Sequence, residues 1–181
     1  MSDKNKENWS PTLIIIHWVV ALAVFGLFGL GWWMVDLSYY DTWYKTGPDL
    51  HKSIGILLFV TMLIRSVIRL FGRKPEPIPS HSKFEKVVAS KVHIALYALM
   101  FVVMCSGYLI STADGRAISL FGVIDIPATI TSIENQEDVA GLVHWYGACT
   151  IVALAVLHAA GGLKHHFIDK DKTLKRMLGR A

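Results

Sequence analysis

The sequence predicts an all-α integral membrane protein: a four-helix bundle with both termini in the cytoplasm. Three observations carry that prediction. Of 181 residues, 53% are hydrophobic and 18% charged, and mean hydropathy is positive at +0.44. The apolar residues are gathered into four blocks, each long enough to cross a hydrocarbon core of about 30 Å. The charges lie between the blocks and segregate by sign from one connection to the next. The length suits one domain, residues 1–181, with helices expected at about 13–35, 51–71, 87–110 and 139–166.

Residues 1–12 are polar and of mixed charge, and Trp9 stands before the first apolar block as an interfacial anchor. The block Leu13 to Val35 is too long for a signal-peptide core and ends in no small-residue cleavage motif, so a retained helix is expected. Trp32 and Trp33 mark its far interface. Residues 36–50 form a polar loop in which Gly47-Pro48 reads as a break before the second helix. That helix, 51–71, is the weakest span, because Arg65 and Arg69 occupy its last two turns; near an end, such side chains can snorkel to the interface. A basic connection follows, semi-rigid because Pro75, Pro77 and Pro79 alternate. The third helix, 87–110, carries Lys91 and His93 near its start and Gly107 near its end. Residues 111–138 form the longest loop, acidic and partly apolar, expected along the membrane surface. The fourth helix, 139–166, leads into a basic tail.

Four crossings put both termini on one side. Of 18 Lys and Arg, 15 fall on that side; only Lys45, Lys52 and Arg116 lie on the other, against eight acids (Asp36, Asp41, Asp49, Asp114, Asp125, Glu134, Glu137, Asp138). The positive-inside rule therefore places the termini in the cytoplasm, and a bacterial inner membrane fits. Cys105 and Cys149 lie inside apolar blocks and form no C-x-x-C or C-x-x-C-H motif, so covalent haem attachment and cysteine-rich metal sites are excluded; both read as small buried hydrophobes. Nothing points to nucleic acid.

The fourth helix carries the chemistry. His144 and His158 are 14 residues apart, a rise of about 21 Å and only about 40° short of four turns. Both imidazoles project from one face, one near each side of the bilayer. By depth, His17 and His93 join His158 near the cytoplasm, and His51 joins His144 near the periplasm. A single interfacial histidine is commonly an amphipathic side chain with a wet tip, but two layers that each draw histidines from facing helices mark a functional site. Zinc wants four ligands, and these layers offer no cysteine or carboxylate at matching depth. A haem iron needs only two axial ligands, and a bis-imidazole iron with no open position suits electron transfer. Glycines at 26, 29, 31, 55, 107, 147, 161 and 162 give either room for a flat macrocycle or close helix packing. Arg65, Arg69 and Lys52 are candidate partners of haem propionates. Depth leaves open whether His17 or His93 faces His158. His165 and His166, two turns beyond His158, are candidates for a cytoplasmic quinone pocket together with His93.

IIIHWVV in the first helix, DLHKSIGILLF and MLIRSVIRL in the second, VHIALYALMFVVMCSGYLI in the third and VHWYGACTIVALAVLHAAGGLKHHFIDKDKTLKRM in the fourth resemble the bacterial cytochrome b561 family over nearly the whole chain. The resemblance implies a four-helix membrane cytochrome with two haem b, passing electrons to or from the quinone pool. It implies His17 and His158 as ligands of the cytoplasmic haem iron, His51 and His144 as ligands of the periplasmic one, and His93 as a neighbour. The activity best known in this family is superoxide:ubiquinone oxidoreduction. The acidic periplasmic side would repel an anion and suits a cationic or protein electron partner. The alternatives are a membrane-anchor relay subunit for a separate dehydrogenase and, with the same histidines, a non-haem metal transporter. Expected partners are the lipid bilayer, quinone, an unidentified electron donor or acceptor and, as an option, a second copy of the chain.

Overall fold

A computed structural model describes residues 8–180; residues 1–7 and Ala181, with the first part of the polar start, lie outside the described residues. Four long helices form the molecule: α1 (Pro11–Met34), α2 (Thr46–Phe71), α3 (Lys83–Thr112) and α4 (Gln136–Phe167). Each is long and apolar enough to span a membrane, and only 6% to 17% of each apolar window is buried inside the molecule, so most of the apolar surface is left for lipid. A small antiparallel hairpin, β1 (Ile118–Leu120) with β2 (Ile124–Ile126), lies between α3 and α4, and a one-turn helix α5 (Thr173–Met177) lies in the tail.

Every span starts earlier than the apolar pattern implies, for a local reason. Ser10 caps α1 by accepting from the Leu13 amide, and Pro11 stands at the first turn, where its missing N–H costs nothing. Pro48 does not break α2 for the same reason: the helix begins at Thr46 and Pro48 lies in its first turn. Ser82 and Glu85 form a reciprocal capping box that opens α3 at Lys83. α4 begins at Gln136, after Asn135 in the left-handed region at φ 52°.

α3 packs most extensively on α4, and α1 on α2. The α3–α4 contact is close because Gly147 lies against Val103; an added Cβ would stand 2.6 Å from a Val103 methyl. The buried core is Leu58, Met62, Met100 and Ile151. Ile151 is the midpoint of the interval from His144 to His158, so the core fills the middle of the bundle between the two histidine layers. Cys149 is half-buried, but Cys105 is exposed and borders the large cavity near His144, contrary to the expectation that both are buried.

Both ends of the bundle are closed by chain. At the end holding both termini, here the terminal face, the Trp18 indole donates to the Met177 carbonyl at 2.9 Å and Arg176 donates to the Glu76 carbonyl. At the opposite end, the hairpin face, the long loop is built into the fold. Ser53 of α2, 1% exposed, accepts from the Phe121 amide at 3.1 Å and donates to the Ser119 carbonyl at 3.5 Å. Tyr108 donates to the Pro127 carbonyl at 2.7 Å, and the Gln136 amide group donates to the Leu109 and Ile130 carbonyls. Asp114 turns back onto the Arg116 amide and guanidinium, which hold its carboxyl below the usual range.

Candidate haem centres

The histidines gather into two layers. At the hairpin face, His51 of α2 and His144 of α4 face each other with ring centres 6.0 Å apart. At the terminal face, His17 of α1 and His158 of α4 stand 6.3 Å apart. Metal–imidazole bonds of about 2.0 Å, plus roughly 1.1 Å from each nitrogen to its ring centre, place two imidazoles on opposite sides of one ion about 6.2 Å apart. Both pairs match. His93 lies 5.0 Å from His158, well short of that separation. Depth on the helices leaves His17 and His93 equivalent; ring separation does not.

The hairpin-face pair is cradled by backbone. A Cβ on Gly31 of α1 would stand 3.2 Å from His51 Cε1, and one on Gly107 of α3 would stand 3.0 Å from His144 Cε1. His144 Nδ1 lies 2.9 Å from the Val103 carbonyl, which can only accept, so Nδ1 carries the proton and Nε2 keeps a free lone pair. Ser106 Oγ, 3.3 Å from the same nitrogen, adds a second contact. His51 Nδ1 is buried with no hydrogen-bond partner among the described residues. A largely apolar cavity of about 1090 Å³ surrounds the pair, bounded by Gly55, Trp145, Ile118 and Pro127. Apolar walls and two facing imidazoles, His144 with a lone pair on Nε2, are a donor set that fits a bis-imidazole haem.

The terminal-face pair is set differently. Arg65 does not snorkel. It is buried, donates from Nη1 to the Leu13 carbonyl at 3.0 Å, and places Nη2 3.3 Å from His17 Nδ1. A guanidinium is donor-only, so His17 Nδ1 accepts here; Nε2 ligation of a metal calls for the opposite tautomer, with Arg65 turned to another acceptor. Arg69 lies over the Trp9 ring at 5.0 Å, and Arg65 and Arg69 both lie near the Tyr97 ring. Lys52 borders the hairpin-face cavity but is paired with Asp49 at 2.8 Å. His166 packs edge-on against Phe167, and His165 lies among Asp169, Asp171 and His81.

Sequence patterns alone had not singled out Ser106, Ser53 or Val103 as supports of the site. Ser106-Gly107, a pair of small residues at the depth of His144 in an otherwise bulky helix, was the available signal. His81 lies in the connection between α2 and α3, and no local sequence pattern ties it to Asp171.

Comparisons with known proteins identify the family. The family described as prokaryotic cytochrome b561 matches residues 8–180. Cytochrome b561 homolog 2 of Escherichia coli (strain K12) is 53% identical over 175 residues, covering 97% of this chain and 93% of its own. Cytochrome b561 homolog 1 of the same organism is 27% identical, covering 96% of this chain and 98% of its own. A protein named probable superoxide oxidase CybB, from Yersinia pestis, is 29% identical, covering 95% and 96%.

Proposed function

The chain belongs to the prokaryotic cytochrome b561 family and is therefore a bacterial membrane protein of haem b electron transfer; from that premise we propose that it holds two haems and links them to the quinone pool of the inner membrane. The observation that carries this reading is the pair of ring separations, 6.0 and 6.3 Å, one in each layer of the bundle. His51 and His144 would hold one iron, His17 and His158 the other. Each haem, when bound, supplies a one-electron carrier with no open coordination position. The protein's part is to hold the imidazoles, exclude water and set the local charge.

Charge segregation supports a cytoplasmic terminal face, which would make the hairpin face periplasmic. Arg65 and Arg69 are the candidate propionate partners of the cytoplasmic haem, and Arg65 moving from His17 to a propionate would restore the ligating tautomer. Lys52 has the corresponding position on the periplasmic side. His93, beside His158 but outside the axial geometry, and His165 and His166 are the candidates for quinone contact and proton exchange at the cytoplasmic face.

Two observations bear on the electron donor. The resemblance of the chain to a probable superoxide oxidase favours superoxide. Yet the two bases that border the hairpin-face cavity, Lys52 and Arg116, are each paired with an acid, Asp49 and Asp114, which weakens any pull on an anion. An electron-donating protein, or a dehydrogenase for which this chain is the membrane relay, suits that face better.

Anaerobic mixing of the oxidised, purified protein with a quinol tests the quinone link. Reduced b-haem absorbance should appear within seconds, and its rate should fall in a His93→Ala variant that keeps both haems. Haem that stays oxidised in excess quinol would contradict it. The same protein mixed with superoxide and quinone, without a partner, separates the donors: sustained turnover selects superoxide, none selects the relay.

A further inference from the structure

Three segments distant in sequence meet where the terminal face folds over itself. His81 comes from the proline-rich connection, His165 from the last turn of α4 and Asp171 from the link to α5. His81 Nε2 lies 2.8 Å from Asp171 Oδ2, and His165 Nδ1 lies 3.2 Å from the same oxygen. The three donor atoms all lie within 4.8 Å of one another. The two imidazoles lie partly over each other, with centres 4.4 Å apart and planes 32° apart. The side chains are 18%, 16% and 7% exposed for His81, His165 and Asp171, so water does little to hold them. The other Asp171 oxygen accepts from the Thr173 amide at 2.7 Å, which fixes the carboxylate.

Two features call for a cation. His165 Nδ1 is buried and makes no hydrogen bond, although Asp169 Oδ2 is 2.8 Å away and Asp171 Oδ2 3.2 Å. Distance is met and hydrogen-bond direction is not. A nitrogen aimed beside a carboxylate oxygen, at contact distance, is how an imidazole that shares an ion with that carboxylate stands. The spacing agrees as well. Tetrahedral coordination with bonds of about 2.0–2.1 Å sets ligand atoms about 3.3 Å apart, against 3.2 Å between His165 Nδ1 and Asp171 Oδ2; His81 Nε2 is nearer, at 2.8 Å, where without an ion it hydrogen-bonds to Asp171 and lies 3.3 Å from Thr173 Oγ1. The neighbouring group of Glu85, His165 and Asp169 also converges. There the Lys164 ammonium already lies 2.8 Å from both carboxylates, so a metal ion belongs on the Asp171 side.

We infer that His81, His165 and Asp171 form a site for a divalent transition metal of the zinc class, with the fourth position left to water. Two imidazoles and one carboxylate suit zinc, whereas magnesium and calcium take oxygen ligands throughout. The site is separate from the haem layers, and an ion there takes His165 out of the candidate quinone contacts, leaving His93 and His166. Its ion ties the connection between α2 and α3, the end of α4 and the start of α5 into one clasp. That clasp holds the tail whose Met177 carbonyl receives Trp18.

The test uses the full-length, haem-loaded protein, freed of metal by a chelator and titrated with Zn²⁺ against a chromophoric competitor. Wild type should bind one equivalent per chain. H81A and the nearly isosteric D171N should each weaken binding at least tenfold, and H166A should leave it unchanged. The haem spectrum should be the same before and after zinc in every variant, which also reports that each is folded. Zinc should slow protease cleavage of the tail in wild type and not in D171N. No stoichiometric binding, or binding that survives both H81A and D171N, would overturn the assignment. The outcome is read through the site's own variants and is separate from the haem count.

Discussion

A missing side chain sets how closely His144 approaches α3. A Cβ at Gly107 would stand 3.0 Å from His144 Cε1 and 3.2 Å from its Nδ1, with helix backbone behind it. Gly107→Val should therefore push the imidazole out of line and empty the hairpin-face layer, halving the haem content while the other haem keeps its low-spin spectrum; unchanged content would show that the glycine is not a cradle. The terminal-face layer gives a sharper contrast. His17→Ala should lose one haem, because its ring stands at the axial separation from His158, whereas His93→Ala should keep two, because 5.0 Å is too close for both rings to flank one ion. The reverse pattern would exchange their roles. In the sequence this choice rests on resemblance alone, since both residues lie at one depth and differ only in lateral position.

The elements were legible as spans and illegible at their ends. Apolar length is a strong signal, and all four spans appeared. Their starts moved outward because capping is polar chemistry that hydropathy does not see. Ser82 with Glu85, and Ser10 with Pro11, supply that chemistry. Replacing Ser82 with Ala should cost about 1 kcal/mol, seen as a fall of a few degrees in the thermal midpoint with haem content intact; no fall would mean the first turn of α3 is held by other contacts. The hairpin was harder to foresee. Its fastening is Ser53, a single hydroxyl 66 residues from Ser119 and 68 from Phe121. Ser53→Ala leaves the Phe121 amide without its acceptor, a loss of roughly 1–3 kcal/mol if that amide stays buried. Faster proteolysis within residues 113–135 should follow. Equal rates in both proteins would show that the apolar contact of Ile118, 3% exposed, suffices to hold the hairpin.

At the scale of the whole molecule, one helix carries a histidine in each layer, and a packed core separates them. The rise of about 21 Å between His144 and His158 spans the middle of the bundle, where Leu58, Met62, Met100 and Ile151 exclude water. Helical periodicity made this visible in the sequence, because both histidines lie on one face of one helix. The metal clasp was not visible. Its residues are up to 90 apart and meet only once the tail has folded back. The most direct measurement is a pyridine haemochrome count on the wild-type protein, expressed with ample haem, together with a reduced-minus-oxidised spectrum. Two b haems per chain, both low-spin, is the value expected of a bundle with an axial imidazole pair in each layer. One haem per chain would contradict the two-layer reading, and none would remove the electron-transfer function.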